Sequence, residues 1–338
     1  MERAPPGEVV IGLDGGASAV RAWAVVRSPD GLVSVGGPAS ALYDRATGFM
    51  PLPLDAQRAG APPNGAETLQ AELCIAAAVE TVSALAHRHA VRRLRLAACL
   101  PGLKSADGRG VIAALHLPRM PRYSDELEAR LASAGLDTRG SLARLLGDGE
   151  ACGLGEEHGA GGHLRGAREA VYIGGGSGLA EAFKIQGELV PPGERLPRAW
   201  ELSRPERDFE QRLSATGINR AWAERACVPV PTRRGEYPED LAAAGDARAA
   251  QLLGEVAALL AELVALRAAA WPSVSGGAAL ERVVLGQRLG LIAERASPAF
   301  RARLADELAR RAGGGHHAVV VSRLREAAAL GAASVLLP

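Results

Sequence analysis

Two short apolar strands, one in each half of the chain, run into glycine-rich turns and leave them again as strands. Val9 to Leu13 leads into Asp14-Gly15-Gly16-Ala17-Ser18, and Val20 to Val26 returns. Ala170 to Ile173 leads into Gly174-Gly175-Gly176-Ser177-Gly178, and Glu181 to Ile185 returns before a turn at Gln186-Gly187. A glycine tip lets backbone N–H groups come close to a bound group because no Cβ stands in the way. One such hairpin is a tight turn and nothing more. Two of them, each opening one half of the chain, predict an internal duplication.

Around these hairpins the pattern alternates strands and helices. The spacing predicts a surface loop over Pro51 to Gly65, then a helix from Leu69 to His89 with Leu69, Leu73, Ala76, Val79, Val82 and Leu85 on its buried face. Leu94 to Leu100 reads as a buried strand stopped by Pro101-Gly102, and Asp125 to Ala134 as a helix ended by Gly135. Leu142 to Leu146 is expected to be a strand delivering Asp148 into a turn, with a small-residue helix from about Glu150. The Gly- and His-rich stretch from Gly153 to Gly166 is expected to be a mobile loop. In the second half helices are expected at Asp208 to Ala215, Asp246 to Ala270 and Pro298 to Arg311, strands at Val283 to Gly286 and Val319 to Val321, and a closing helix at Leu324 to Leu337.

At 338 residues with 48% hydrophobic side chains, the chain can bury a core in each of two domains. A formal net charge of +1 supplies no bulk field for nucleic acid or an anionic membrane. Lys104 and Lys184 are the only lysines, so the basic residues are nearly all arginine; with the heavy use of Ala, Gly and Pro this reads as coding bias rather than phosphate recognition. The four cysteines, Cys74, Cys99, Cys152 and Cys227, contain no C-x-x-C pair, which predicts reduced thiols in a cytoplasmic protein. The N-terminus lacks a basic-then-apolar leader pattern. The most apolar stretch, Val256 to Trp271, is interrupted by Glu262 and Arg267 and reads as an amphipathic helix rather than a membrane span.

Two aspartates stand where strands end. Asp14 is either a turn-capping side chain or a carboxylate that manages Mg²⁺ through water. Asp148, in L-L-G-D-G-E-A-C-G-L-G-E, is either a helix N-cap or a general base for a hydroxyl. His158 and His163, beside Glu156 and Glu157, read as a solvated loop rather than a metal site, and His316-His317 as a surface turn. A Walker loop is absent, Leu179 breaks a G-x-S-x-G reading of Ser177, and the glycines at 174–178 do not fit G-x-G-x-x-G.

Taken in order, these segments resemble the ROK family of sugar kinases and regulators, within the actin-like, hexokinase-like ATPases. Ile11 to Ala22 resembles the first phosphate motif, D-x-G-G-T-K, with Ser18 at the usual Thr and Ala17 and Ala19 departing from Gly and Lys. Cys99 to Leu103 resembles the x-x-P-G strand end, and His116-Leu117-Pro118 the N-L-P whose Asn contacts sugar. Leu146 to Glu156 is similar to N-D-A-N-x-A-A-L-G-E, so that Asp148 falls on the catalytic aspartate and Gly147 on a sugar-contacting Asn. Gly176-Ser177-Gly178 resembles the second phosphate motif, although Leu179 to Ala182 replaces I-G-G-G. Ala242 to Ala249 resembles the A-x-x-G-D-x-x-A helix start. Val283 to Gly286 resembles the adenosine-site strand, with Gln287 and Arg288 in place of further glycines, and Leu324 to Ser334 the closing helix. The family's zinc element has no counterpart, so no zinc is expected. Asp208 to Ser214 is similar to the segment that normally follows it, which puts Glu210 near a structural Glu, and Glu201 is the best counterpart of a sugar-contacting Glu.

The resemblance implies an α/β fold of two ribonuclease-H-like domains, 1–147 and 148–338, with an interdomain cleft and with the closing helix 324–338 able to pack back on the first domain. It implies ATP and Mg²⁺ as cofactors, Asp14, Gly15, Gly16, Ser18, Gly176, Ser177, Gly178 and Gly286 around the nucleotide, and Asp14 toward Mg²⁺. Gly102, His116, Gly147, Asp148, Glu150 and Glu201 would surround a sugar whose hydroxyl Asp148 deprotonates. The partner is then a small sugar, with no nucleic acid or membrane, and the family implies a homodimer. A transcription regulator of the same family would need a DNA-reading helix-turn-helix before Val9, where this sequence has about eight residues. A non-catalytic sugar- or nucleotide-binding relative is the other reading, motivated by the altered positions Ala17, Gly147, His116, Ala180 to Ala182 and Gln287.

Overall fold

The computed structural model describes residues 8–142, 144–193, 195–204, 207–295, 298–311 and 317–337; His316 lies outside them. The chain forms two units, Met1–Gly162 with Glu326–Pro338, and His163–Arg325.

The first unit opens with β1 (Glu8–Gly15), β2 (Ala19–Ser28) and β3 (Gly31–Leu42), followed by α1 (Leu54–Arg58), α2 (Gly65–Arg88), β4 (Arg93–Cys99), β5 (Leu103–Lys104), β6 (Val111–Ala113), α3 (Tyr123–Ser133) and α4 (Asp148–His158). Its main sheet runs β3-β2-β1-β4. β1 is antiparallel to β2 and parallel to β4, so it is the central strand. Alternation along it sends Ile11 and Leu13 to one face, where both are fully buried in a core shared with Cys74, Ala78, Val82 and Leu85 of α2. Asn64 starts α2 by accepting from the Glu67 N–H at 2.8 Å.

In the second unit β7 (Ala170–Gly175), β8 (Leu179–Ile185) and β9 (Glu188–Val190) form a meander. A 3₁₀ turn follows at Ala199–Leu202, then α5 (Phe209–Leu213), α6 (Ala215–Ala226), α7 (Pro238–Ala243), α8 (Ala247–Ser275), β10 (Arg282–Gly286), α9 (Gln287–Arg295), α10 (Pro298–Arg311) and β11 (Ala318–Val321). The sheet order is β11-β10-β7-β8-β9, with β10 parallel to β7 and β11. Both units therefore share one plan, an antiparallel meander whose first strand pairs in parallel with the next strand along the chain. That is the duplication the two glycine hairpins predicted. The long helix α8, capped by Asp246 accepting from the N–H groups of Arg248 and Ala249 at 2.9 Å, buries Leu253, Ala257, Leu260, Val264 and Trp271 in this unit's core.

The last helix, α11 (Ala327–Ser334), belongs to the first unit. It lies on the face of β1 opposite α2, and its approach is possible only because glycines meet backbone. A Cβ on Gly12 would come within 2.0 Å of the Ala329 carbonyl oxygen, one on Gly155 of α4 within 1.9 Å of that of Ala327, and one on Gly331 within 1.7 Å of that of Ala151. β1, α11 and α4 are thus locked at backbone distance. Gly331→Val should separate α11 from α4, with an expected loss of about 3 kcal/mol or more, at or above the top of the usual overpacking range because the obstacle is backbone rather than a flexible side chain. Urea unfolding followed by circular dichroism would measure it.

The division between units falls after α4 rather than at 147/148. The packing of α4 on α11 and the bridge from Leu32 to Gly159 tie residues 148–162 to the first unit. Several local expectations are corrected. Over 142–146 no strand forms among the described residues, and only Leu146 bridges, to Cys99. Residues 153–158 are helix rather than loop, and Leu164 beyond them is fully buried. The loop over 51–65 contains α1, whose Gln57 is buried. On α2 the buried stripe is rotated from the expected one: Leu69 is 51% exposed and Ala76 is exposed, while Gln70, Cys74, Ala77 and Thr81 face inward.

Helices α2 and α8 are long and apolar enough to cross a membrane by length and composition, but about half of each apolar window (50% and 56%) is buried within the protein. Both are accounted for as core helices.

Candidate active site

In the first unit β1 delivers Asp14 at its C-terminal end, and hairpin register sets its neighbours. Arg21 lies opposite on β2 and Cys99 opposite on β4. The turn between β1 and β2 closes with the Gly16 N–H donating to the Ala19 carbonyl at 2.8 Å, while Gly15 packs against Leu100 and Ser18 stands exposed. The Cys99 thiol donates to Asp14 Oδ1 at 3.7 Å. Burial pushes the Cys99 thiol well above its ordinary pKa, with the Asp14 charge adding, so it stays protonated and able to donate.

Asp148 opens α4. The Asp148 Oδ1 accepts from the Gly149 N–H at 3.0 Å, and the N-cap is Gly147 in an extended conformation. Glu150 turns back, accepting from the Gly147 N–H at 3.3 Å and pairing with Arg144 at 2.7 Å on an exposed surface. Glu150 is thus engaged at the helix start. The positive end of α4 suits a carboxylate in its first turn. Asp148 acts on Asp14 electrostatically. Burial pushes the Asp14 carboxyl above the usual carboxylate range, Arg21 pulls it down, and Asp148 pushes it up again.

A folded-state pKa raised above the unfolded value means that ionised Asp14 opposes folding; the stabilisation from its protonated form is lost as pH rises through the folded pKa. Asp14→Asn should therefore melt a few degrees above the wild type at neutral pH, with the difference shrinking as pH falls. Calorimetric scans at several pH values would check this.

Gly102 takes φ +101°, where a Cβ would meet the Ala113 carbonyl oxygen at 2.5 Å, so the strand end after β4 must be glycine. His116 is exposed on the segment after β6.

The second unit carries the other glycine tip. The Gly176 N–H donates to the Gly178 carbonyl at 2.9 Å, and the Gly176 carbonyl accepts from the Ala215 N–H at 2.8 Å. The Glu210 carboxylate accepts from the Leu179 N–H at 3.1 and 3.2 Å and lies against Gly178. Gln287, just after Gly286, has φ +48°, and its side-chain amide sits over Gly174 and Gly176. Arg288 forms a two-point pair with Glu239 at 2.8 Å and stacks 4.1 Å above the Tyr237 ring. Gly286 itself packs on the Tyr172 hydroxyl. Glu201 is exposed in the 3₁₀ turn and accepts from the Arg198 N–H at 2.6 Å. Glu181, at a position where the resemblance has glycine, is buried against Arg267 at 2.6 Å.

The structure thus gathers Asp14, Cys99 and Asp148 in one unit, and Gly176, Ser177, Gly178 and Gly286 in the other with Gln287 among them. Sequence reading missed Arg21, which the register of an Asp14-to-Arg21 hairpin places opposite Asp14, and the thiol contact from Cys99. Among the described residues no group of three or more His, Cys, Asp or Glu side chains is arranged to hold a metal.

No protein-family model matches the sequence, and no curated protein matches it. Solved structures do. A ROK family glucokinase from Streptomyces griseus, in complex with glucose and AMPPNP, is 18% identical and superposes with a TM-score of 0.66 over 97% of this chain and 98% of its own. An inorganic polyphosphate/ATP-glucomannokinase from Arthrobacter sp. strain KM is 17% identical, with a TM-score of 0.59 and 98% of both chains covered. A ROK family transcriptional regulator, a homolog of the E. coli MLC protein, is 14% identical with a TM-score of 0.59, covering 98% of this chain and 78% of that one. The chain has the two-domain α/β fold of the ROK proteins, as the order of its glycine hairpins and aspartates implied.

Proposed function

We propose that this protein is a cytoplasmic ROK-type sugar kinase that transfers the γ-phosphoryl group of ATP to a sugar hydroxyl, with Asp148 as general base. The observation that carries the reading is the pair Asp14 and Asp148, two carboxylates at a strand end and a helix start, near enough for one to raise the other's pKa. Two like charges held together in a partly buried site suit a hard dication and a hydroxyl proton better than they suit a purely structural role.

Asp148 would accept the proton of the attacking hydroxyl. Its carboxylate is oriented by the Gly149 N–H, which donates to Oδ1 at 3.0 Å. Asp14, steadied by the Cys99 thiol, would hold Mg²⁺ through water. The residues fit that ion: oxygen donors, an excess of negative charge, and few protein ligands, since Mg²⁺ at phosphoryl-transfer sites relies on one or two carboxylates plus phosphates. When bound, Mg²⁺ would neutralise charge on the transferring phosphates. Each glycine tip would offer backbone N–H groups to phosphate oxygens, other than the Gly16 and Gly176 N–H groups that close the turns. Gly102, His116 and Gly147 would face the sugar; a side chain at Gly147 would meet only Glu150 Cβ, at 4.0 Å, so the sugar shell has room there.

The second reading, a non-catalytic sugar- or nucleotide-binding relative, is favoured by Gln287, whose amide crowds the glycine tip of the second unit. A coupled assay of sugar-dependent ADP release over hexoses, N-acetylated amino sugars and polyols tests the kinase reading. Release with at least one sugar supports it. No release, together with no heat on titrating ATP·Mg²⁺, favours the binding protein.

A further inference from the structure

The segment 114–119, which carries His116, is clamped at both ends by buried side chains that the proposed chemistry does not use. At its start the Gln57 amide closes a ring with Ala114. Gln57 Oε1 accepts from the Ala114 N–H at 3.0 Å, and Gln57 Nε2 donates to the Ala114 carbonyl at 2.9 Å and to that of Leu52 at 2.6 Å. Gln57 and Ala114 are 5% and 2% exposed. At its far end Glu67 accepts from the Arg119 N–H at 3.0 Å and from the Arg119 guanidinium at 2.8 and 2.7 Å, and Arg119 also donates to the Ala61 carbonyl. Between the clamps Leu117 and Pro118 are buried, while Leu115 and His116 face outward. The antiparallel backbone pair of Val111 in β6 with Met120 (2.8 and 2.9 Å) closes the loop, and within it the backbone on either side of His116 is fixed by these side chains.

We propose that Gln57 is a positioning residue for sugar recognition, holding the 114–119 segment so that His116 is presented in one orientation, with the Glu67–Arg119 pair fixing the other end. This rests on the sugar-kinase reading and on His116 as a sugar contact. A recognition group on a short irregular segment loses affinity by sampling other geometries, and a preformed segment avoids that loss. α1 is five residues long and contributes Gln57 as its one buried side chain, which accounts for a helix in an otherwise Pro- and Gly-rich stretch.

The test is a double-mutant cycle on the intact protein, read by steady-state kinetics with D-glucose, D-mannose and N-acetyl-D-glucosamine as acceptors. Gln57→Met, which keeps length and removes all three hydrogen bonds, should raise sugar KM about tenfold, with kcat and the KM for ATP within twofold. His116→Ala should raise sugar KM comparably. The double variant should be little worse than either alone, because a misplaced contact and a missing contact are the same loss. Arg119→Lys, a milder opening of the other end, should shift sugar KM the same way and keeps the test alive if Gln57→Met does not fold. Amide exchange over 112–119 should speed up in Gln57→Met while the rest of the unit keeps its protection. Additive effects of Gln57→Met and His116→Ala, or equal losses in sugar and ATP parameters, overturn the positioning role and leave the kinase reading intact. A wild type that turns over and binds none of these sugars or the wider panel overturns both.

Discussion

Asp148→Asn lowers sugar-dependent ADP formation by about 10²-fold or more while sugar and ATP affinities stay near those of the wild type. The substitution is chosen because the fold should not register it. The Asn carboxamide oxygen can still accept from the Gly149 N–H as Asp148 Oδ1 does, and the packing of α4 on α11 depends on Gly155 and Gly331, further along both helices. What the amide cannot do is take a proton from an alcohol. The loss must therefore appear in kcat, with the sugar KM little changed, since an interaction made only in the transition state has been removed. Steady-state kinetics and a thermal melt on the same preparation measure both halves of the expectation. Wild-type turnover in this variant would remove Asp148 from the chemistry.

Arg267→Ala destabilises the second unit by about 3–5 kcal/mol, the cost of leaving a buried carboxylate without its cation. Glu181 and Arg267 are 3% and 2% exposed at the side chain, joined by two hydrogen bonds of 2.6 and 2.9 Å, and Glu181 also accepts from the Ala199 N–H at 2.7 Å. The guanidinium lies over the Phe183 ring at 5.1 Å, so its removal also opens space beside an aromatic side chain. Burial pushes the Glu181 carboxyl up, and Arg267 pulls against it. Without Arg267 the carboxyl would take a proton more readily, so the deficit should narrow as pH falls. Replacing both members, Glu181→Leu with Arg267→Met, should recover most of the stability, because an apolar pair needs no compensation in the core. Urea unfolding of the single and double variants at two pH values checks each part. If Arg267→Ala unfolds with the wild type, the pair is not the buried contact described above.

Much of the fold could be read from the sequence because its strands are short, apolar and ended by glycine. β1, β2, β7, β8 and β10 lie where VVIGL, VRAWAVV, AVYI, EAFKI and VVLG place them. β3 was missed: it begins and continues with glycines, Gly31, Gly36 and Gly37, and alternates weakly, yet it pairs along most of β2. The error over 142–146 has a plain cause. An apolar run before Asp148 has strand composition, but only Leu146 reaches β4, and composition does not reveal pairing. The rotated stripe of α2 arose because buried polar side chains, Gln70 and Thr81, take positions that hydrophobicity assigns to the outside; Gln70 accepts from the Ala46 N–H at 3.0 Å and Thr81 bonds back to the Ala77 carbonyl at 2.7 Å.

For the candidate site, Asp14 and Asp148 stood out because each follows an apolar run and precedes a glycine. Their mutual influence did not, because 134 positions separate them in sequence and only the folding of β1, β4 and α4 into one unit brings them within electrostatic reach. Gln57 was invisible for a different reason. Its neighbours Pro51, Pro53, Pro62 and Pro63 make the segment read as loop, and a glutamine whose amide is wholly used by backbone groups has no pattern of its own.

The Asp14–Asp148 pair is proposed to serve phosphoryl transfer to a sugar rather than to water or to nothing. Phosphorus NMR on the wild-type protein with ATP·Mg²⁺ and each of the acceptor sugars in turn tests it directly. For at least one sugar, a new phosphomonoester resonance should grow at the rate that ADP appears, with inorganic phosphate nearly absent. ATP left unchanged across the panel, or its phosphate released only as the inorganic ion, would contradict it.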